Sequence, residues 1–289
     1  MGMVLSQEKK EKGYYVRRSN PLQVKSLNDV TPNYQHIYLS PHFDDAVYSC
    51  GGAIGVQAHA GQRPLVVTIF AGIPSSTLEL SSFALKMHNV MGFGQDAEPL
   101  IAARRKEDAN ALGHLHADYL WLDYVDAIYR GTPAYYTRND LICGRVHPGD
   151  LEIGRRLAQD LLILYERLPH ATWYVPLGVG LHVDHQIVTS AANQLLQHGA
   201  NIKFYEDFPY AKKARRLRKR LKEIGITLQP VLLEISETLQ LRQKAAEMYA
   251  SQVKLNFGTM EAMYKAMKNY TRRVHHWKIV HMERYWTLS

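Results

Sequence analysis

Apolar and polar positions along this chain switch repeatedly between two periods. From residue 34 onward, short runs rich in β-branched and aromatic residues are followed by longer stretches with apolar residues at helical spacing. Residues 36–40 (HIYLS) read as a strand and 46–61 as a helix of small and apolar residues. Residues 64–70 (PLVVTIF) form a continuous apolar run, the pattern of a strand buried on both faces. Residues 100–113 read as a helix closed by Gly113. Then come a strand at 118–122, an amphipathic helix at 149–168, a strand at 172–176 and a helix at 183–199. A strand at 202–208 leads into a basic helix. A late strand at 226–235 precedes a capped helix at 236–252. Residues 274–276 (VHH) read as a half-exposed strand. Residues 1–33 are polar and read as an irregular lead-in to a single domain over 34–289.

This alternation predicts βαβ units and hence an α/β fold, a Rossmann-like three-layer sandwich with a mainly parallel sheet. Such sheets bind ligands beyond the carboxyl ends of their strands. The segments 71–99 and 123–148 are long for connections in a compact domain. They are expected at that edge as lids that set substrate specificity.

Composition narrows the class. The 289 residues, 46% hydrophobic, suffice for a sizeable core. No apolar run approaches the roughly 18 residues of a membrane span. The first 19 residues carry charge without the apolar stretch of a signal peptide, and Gly2 lacks the context for myristoylation. Cys50 and Cys143 make no disulfide framework, so a reducing, cytoplasmic location is expected. The formal net charge is +8, much of it in the run 212–222 (KKARRLRKRLK). That run reads as a solvated helix face. No nucleic-acid module accompanies it, so nucleic acid is not an expected partner.

Chemistry concentrates in two places. The stretch SPHFDDAVYSCGG (40–52) sets His42, Asp44 and Asp45 between a strand and its helix. His42 and Asp45, three residues apart, offer a nitrogen and a carboxylate oxygen suited to a divalent ion. Asp44 either caps the helix or stands free to accept a proton from water. The stretch GLHVDHQIV (180–188) repeats the arrangement: it follows a strand, opens a helix, and sets His182 and His185 three apart around Asp184. Together the two loops can supply a catalytic metal with three protein ligands and an open position. A structural site with four closed ligands fits less well. Tyr205, Glu206 and Asp207 end a strand at the same edge and are candidate pocket residues. His147–Asp150 (HPGD) reads as an N-cap turn, the histidines of 114–118 as surface groups, and Cys50 as packing.

The first stretch resembles the PHPDDE signature of the LmbE-like, PIG-L type de-N-acetylases, in a branch reading PHxDDA followed by Cys-Gly-Gly. HVDH (182–185) is similar to their HxDH signature. TIFAG (68–72), RRKED (104–108, as an RxxE helix start), LDYVDAIYR (122–130), FYEDFPYA (204–211) and KAAEMYASQ (244–252) resemble further family segments in order. The resemblance covers roughly residues 35–252. It implies the LmbE-like deacetylase fold and a zinc ion (Fe2+, Co2+ or Ni2+ suit the same ligands) held by His42, Asp45 and His185. It further implies Asp44 as general base, His182 as oxyanion stabiliser, and Asp184 as the carboxylate orienting a neighbouring histidine. Arg104, Asp126, Arg130, Glu206 and Tyr210 are the substrate-side residues it suggests. Phe43 and Ala46 depart from the family pattern, which has proline and glutamate there. Phe43 is expected to narrow the pocket or to stack on a sugar ring. The function so implied is removal of an acyl group, foremost acetyl, from a small-molecule amino sugar or glycoside, by a monomer or homo-oligomer. Two alternatives stand beside it: an amidase of a thiol–sugar conjugate or antibiotic precursor, and an anionic-surface or nucleic-acid binding protein on an inactive scaffold.

Overall fold

A computed structural model describes residues 21–274 and 279–289. The strands are β1 (Gln23–Val24), β2 (His36–Ser40), β3 (Leu65–Thr68), β4 (Asp118–Trp121), β5 (Thr172–Pro176), β6 (Asn201–Tyr205), β7 (Leu228–Glu234) and β8 (Met282–Leu288). The α-helices are α1 (Asp45–His59), α2 (Ser82–Met91), α3 (Ala97–His114), α4 (Asn139–Ile142), α5 (Leu151–Arg167), α6 (Val183–Asn193), α7 (Ala214–Glu223), α8 (Leu239–Glu247), α9 (Ala250–Phe257) and α10 (Met260–Arg273). The eight strands among the described residues join one sheet in the order β1-β4-β3-β2-β5-β6-β8-β7. The first six run parallel, and β8 and β7 add an antiparallel edge. Two apolar cores cover the two faces. One contains Ala46, Val47, Ile54 and Ala245, and the other Ile37, Leu161, Val188 and Leu217. This is the expected three-layer α/β architecture. Among the described residues, no helix is long and apolar enough to cross a membrane.

Several expectations are corrected. Of the stretch 1–33 read as an irregular lead-in, residues 1–20 lie outside the described residues, and Gln23–Val24 form β1, which pairs in parallel with β4 and buries Val24. The segment 71–99 contains the helix α2, which closes on Gly92 in the left-handed conformation. Gly113 does not end its helix: α3 runs on to His114 and is capped at Leu115. The 236–252 stretch forms two helices that break at Met248–Tyr249. Thr238 at the first N-cap makes no capping bond, because its hydroxyl donates to the Gly52 carbonyl instead (2.9 Å). The 202–208 strand stops at Tyr205, where the chain turns toward the site. Of the VHH stretch, Val274 follows α10 and the two histidines lie outside the described residues.

The small residues in the middle of α1 have a tertiary cause. Glu283 of β8 is buried against the middle of the helix and accepts from the N–H groups of Gly52 and Ala53 (2.9 Å each) and from Tyr285 Oη (2.7 Å). Arg242 of α8 pairs with Glu283 at 3.1 Å and donates to the Tyr48 carbonyl. A Cβ at Gly52 would stand 2.6 Å from Glu283 Oε1 and 2.7 Å from Ile235 Cδ1. Only glycine lets this buried ion pair reach the helix backbone.

Candidate active site

β2 lies between β3 and β5, so the chain winds one way from β2 and the other way from β5. The crevice at this switch point opens beyond the carboxyl ends of β2 and β5. Both motifs stand there. Ser40 Oγ ties the first turn, donating to the His42 carbonyl (2.5 Å) and accepting from Ala46 N (3.0 Å). Asp44 occupies the N-cap position of α1 but makes no capping bond, which leaves its carboxylate to face the cavity and Arg104. The loop after β5 needs unusual backbone: Gly180 has φ +100 and Leu181 φ +60. A Cβ on Gly180 would meet the Tyr210 ring at 2.9 Å.

The two loops bring His42, Asp45 and His185 together. Asp45 Oδ2 lies 3.2 Å from His42 Nδ1 and 3.2 Å from His185 Nε2. Ligand atoms on a tetrahedral ion with bonds of about 2.0–2.1 Å stand about 3.3 Å apart, and these two spacings to Asp45 match that separation. The far nitrogens are both occupied. His42 Nε2 is 2.9 Å from Asp184 Oδ2, and His185 Nδ1 is 2.7 Å from Asp207 Oδ1. Each carboxylate pairs with the ring nitrogen on its side, which turns the other nitrogen toward Asp45. The nitrogens of His42, His182 and His185 also lie within 4.8 Å of one another. His182 Nδ1, however, accepts from Asp184 N (3.2 Å), which leaves Nε2–H as a donor rather than a ligand. Asp126, Asp184 and His42 form a second cluster. There Asp184 is already neutralised by Arg130, 2.6 Å from its Oδ1, and its Oδ2 accepts from Ala127 N (3.1 Å).

The electrostatics follow from burial and crowding. Burial and the charge of Asp45 raise the Asp44 carboxyl to about 6, with Arg104 and His42 pulling the other way. Burial and the neighbouring His42 charge lower His182 to about 3, so that ring is neutral at pH 7. Burial opposes charge on His42, but Asp126, Asp184 and Asp45 outweigh it and raise the ring to about 10. Burial likewise opposes charge on His185, and Asp45 and Asp207 raise it well above the ordinary range. Carboxylates crowd the point between His42, Asp45 and His185, and the cluster favours positive charge there. Protons on the rings supply it, and a divalent cation held there would supply it in their place.

The cavity over this cluster has a volume of about 380 Å³. His42, Asp44, Asp45, His182, Arg104, Asp126 and Tyr210 line it. Arg104, in the middle of α3 rather than at a helix start, sets Nη2 3.2 Å from Asp44 Oδ1. Asp126 Oδ1 accepts from Ile128 N (3.1 Å), and its Oδ2 lies 3.6 Å from His42 Nε2. Five of the sequence-selected residues stand outside the wall. His185 and Asp184 are buried beneath it. Arg130 lies below Asp184, bridging it to Asp150 (3.0 Å). Phe43 is 1% exposed, with the Arg104 guanidinium 5.1 Å above its ring, so it presents no face for stacking a sugar. Glu206 does not reach the cavity. Its carboxylate is spent on Arg284 (2.6 Å), Trp286 (2.8 Å) and Tyr270, all from the C-terminal elements. The two long segments do contribute walls: Phe83 and Met87 from one, Ile128, Asn139 and Ile142 from the other.

Sequence reading grouped Asp207 with its neighbours and gave it no role of its own. Its Oδ1 faces His185 and its Oδ2 accepts from Val179 N (2.8 Å). Period-two alternation beyond β6 was the available signal, since adjacent residues face opposite ways and Glu206 and Asp207 cannot share a pocket.

Histidines and carboxylates gathered at the switch point of an α/β sheet form a group that could hold a metal ion, with the Asp44 carboxylate beside it. Residues 37–196 match the profile of the GlcNAc-PI de-N-acetylase family, PIG-L, and the chain belongs to that family. It is 31% identical over 185 residues to the 2'-N-acetylparomamine deacetylase of Niallia circulans, covering 60% of this chain and 66% of that protein. It is 28% identical over 232 residues to the enzyme of the same name from Streptomyces fradiae, covering 75% and 72%. The chain therefore spans just under two thirds of the first of these relatives. Its fold superposes on the zinc-inhibited form of teicoplanin deacetylase with a TM-score of 0.75 at 25% identity, over 86% of this chain and 96% of that one.

Proposed function

We propose that the protein is a zinc-dependent N-deacetylase that hydrolyses the acetamide of an N-acetylated amino sugar or glycoside. The observation that carries this reading is Asp45 Oδ2 held 3.2 Å from ring nitrogens of two histidines on separate loops, with the uncapped carboxylate of Asp44 beside them. Family membership and the deacetylase names of the relatives support it.

In this reading His42 Nδ1, Asp45 and His185 Nε2 hold the ion, and Asp184 and Asp207 orient the two rings. A divalent ion bound there lowers the pKa of bound water to about 7 and polarises a carbonyl. Asp44 takes the proton of the attacking water. Its affinity for that proton, raised toward neutrality by burial, also lets it pass the proton to the departing amine. Arg104 at 3.2 Å holds the Asp44 carboxylate toward the cavity. His182, neutral and with Nδ1 occupied by a backbone N–H, offers Nε2–H to the oxyanion of the tetrahedral intermediate. Asp126, which lines the cavity beside His42, is placed to accept a hydrogen bond from a substrate hydroxyl or amide.

The test combines metal content with turnover. Purified protein is expected to bind about one zinc per chain, and His185→Ala to lose it. Asp44→Asn is expected to keep the metal and lose ~10²–10⁴-fold in acetate release from N-acetylglucosamine derivatives. Metal that persists without His185, or acetate release that survives Asp44→Asn, would exclude this assignment of roles.

A further inference from the structure

Glu206 and Asp207 follow directly on β6, and both carboxylates are buried. Asp207 is committed to His185 and to Val179 of the loop after β5. Glu206 does not reach the cavity, yet it is held by three donors. Its Oε1 accepts from Arg284 Nε (2.6 Å) and Trp286 Nε1 (2.8 Å), and its Oε2 accepts from Tyr270 Oη. Bonds to an ionised acceptor are the stronger kind, so three of them leave a buried carboxylate little freedom. The donors belong to α10 and β8. Among the described residues, the stretch 260–289 that carries both elements contributes nothing to the cavity wall.

Register explains the grip. Phe204 pairs with Trp286 and Tyr205 with Tyr285 in the antiparallel ladder, so the same register sets Glu206 opposite Arg284. Period-two alternation then divides β8 between two tasks. Arg284 and Trp286 turn to Glu206. Glu283 and Tyr285 turn the other way, where Glu283 accepts from the N–H groups of Gly52 and Ala53 in α1, the helix that begins at Asp45. One strand therefore holds both the helix that presents Asp45 and the turn that presents Asp207. The next residue of that turn is fastened too: Phe208 N donates to Ser49 Oγ of α1 (3.1 Å). Asp207 stands between two anchored neighbours. A displacement of about 0.5 Å is enough to spoil a site of this kind, so the anchors matter to the ring that Asp207 orients.

We propose that Glu206 is a positioning residue of the metal site: gripped by Tyr270, Arg284 and Trp286, it fixes the turn after β6 so that Asp207 meets His185. The C-terminal elements thereby set metal affinity without touching the cavity. This rests on the N-deacetylase reading for the ion and adds the part of the chain that keeps its ligand in place.

The experiment uses the full-length protein. Competition with a chromophoric chelator measures zinc affinity for wild type, Glu206→Gln, Trp286→Phe, Asp207→Asn and the double variant of Glu206→Gln with Asp207→Asn. Glu206→Gln is expected to weaken zinc about 10-fold. Trp286→Phe keeps the aromatic packing, removes one donor and is expected to weaken zinc less. The double variant is expected to bind zinc no more weakly than Asp207→Asn alone, because Glu206 acts through Asp207. Tyr34→Phe removes a buried hydrogen bond to Asp118 (2.8 Å) at the other end of the strands. It is expected to lower Tm and leave zinc affinity unchanged, which separates positioning from general loss of stability. In the metal-free protein the imidazole N–H proton between His185 and Asp207 is read by NMR and assigned by its loss in Asp207→Asn. Its resonance is expected to move in Glu206→Gln. If Glu206→Gln does not fold, Trp286→Phe takes its place in each comparison. Unchanged zinc affinity and an unmoved proton would overturn the proposal, while zinc bound by wild type keeps the deacetylase reading. Additive losses in the double variant would overturn the route through Asp207. A wild type that binds no zinc, with the proton still moved by Glu206→Gln, would uphold the positioning of Asp207 and defeat the deacetylase reading instead.

Discussion

His185 Nδ1 and Asp207 Oδ1 stand 2.7 Å apart, both essentially buried. The carboxylate comes from the turn after β6, one strand away from the strand that delivers His185. Asp207 therefore does two jobs. It fixes the proton of His185 on Nδ1, and by accepting from Val179 N it anchors the loop that carries His182. Removing its charge loosens both. Asp207→Asn is expected to weaken zinc binding about 10–100-fold while the fold survives. Competition with a chromophoric chelator measures the first, and a circular dichroism melt checks the second.

Gly180 is a second mechanical dependence. At φ +100, with the Tyr210 ring 2.9 Å from where a Cβ would stand, alanine is both strained and crowded. Gly180→Ala is expected to cost about 1–3 kcal/mol. Pairing it with Tyr210→Ala relieves the clash but not the backbone strain, so the double variant should regain part of the lost melting temperature. Full recovery would mean that strain at φ +100 plays no part.

Gly52 tests the ion pair inserted beside α1. Gly52→Ala drives a methyl against Glu283 Oε1 and Ile235. The loss expected from overpacking is ~1–3 kcal/mol. Glu283→Gln is expected to destabilise as well, because it leaves the Arg242 charge buried without its partner. Urea unfolding of the two single variants and the double variant reads the coupling. Because residues in contact share the damage, the double variant should be less damaged than the sum.

Asp108 makes a prediction about pH. Its carboxylate is fully buried and accepts from Tyr249 Oη (2.7 Å), Trp121 Nε1 (2.7 Å) and Thr68 Oγ1 (3.3 Å). Burial nevertheless raises it to about 7, against the opposing pull of those donors. The folded state then holds this proton more tightly than the unfolded chain does. The associated stabilisation is complete below the ordinary carboxylate range and is lost as pH rises through about 7. Carbon-13 aspartate spectra should show a carboxyl titrating near pH 7 that is missing in Asp108→Asn. If the missing resonance titrates near 4 instead, the three donors win over burial.

RRKED and KAAEMYASQ, far apart in the chain, turn out to be one connection. Glu107 accepts from Ser251 N (2.9 Å) and Ser251 Oγ (2.6 Å), while Arg104, one turn earlier on α3, reaches Asp44. Glu107→Ala is expected to loosen α9 from α3 and widen the cavity wall that α9 supplies. Its effect should appear as a higher KM with kcat little changed.

The sequence by itself determined much of this protein. Alternating periods of two and 3.6 dictated a parallel α/β sheet, because runs such as LVVT have no polar face to show to water. The strand-to-helix positions of His42, Asp44, Asp45, His182 and His185 followed from that register, because parallel strands all end at one edge. What the tertiary structure decided was which residues behind that edge meet. Asp207 and Glu206 are neighbours in sequence, yet one turns to His185 and the other to Arg284 and Trp286, since packing of the antiparallel edge selects the face. Arg130 reads as a substrate residue until Asp184 and Asp150 are seen on either side of it. Phe43 reads as a sugar platform until Arg104 covers its ring. The walls of the cavity come from α2, α4 and α9, which are short or hidden in weakly periodic stretches. Their places are set by long-range contacts, and local pattern carries no record of those.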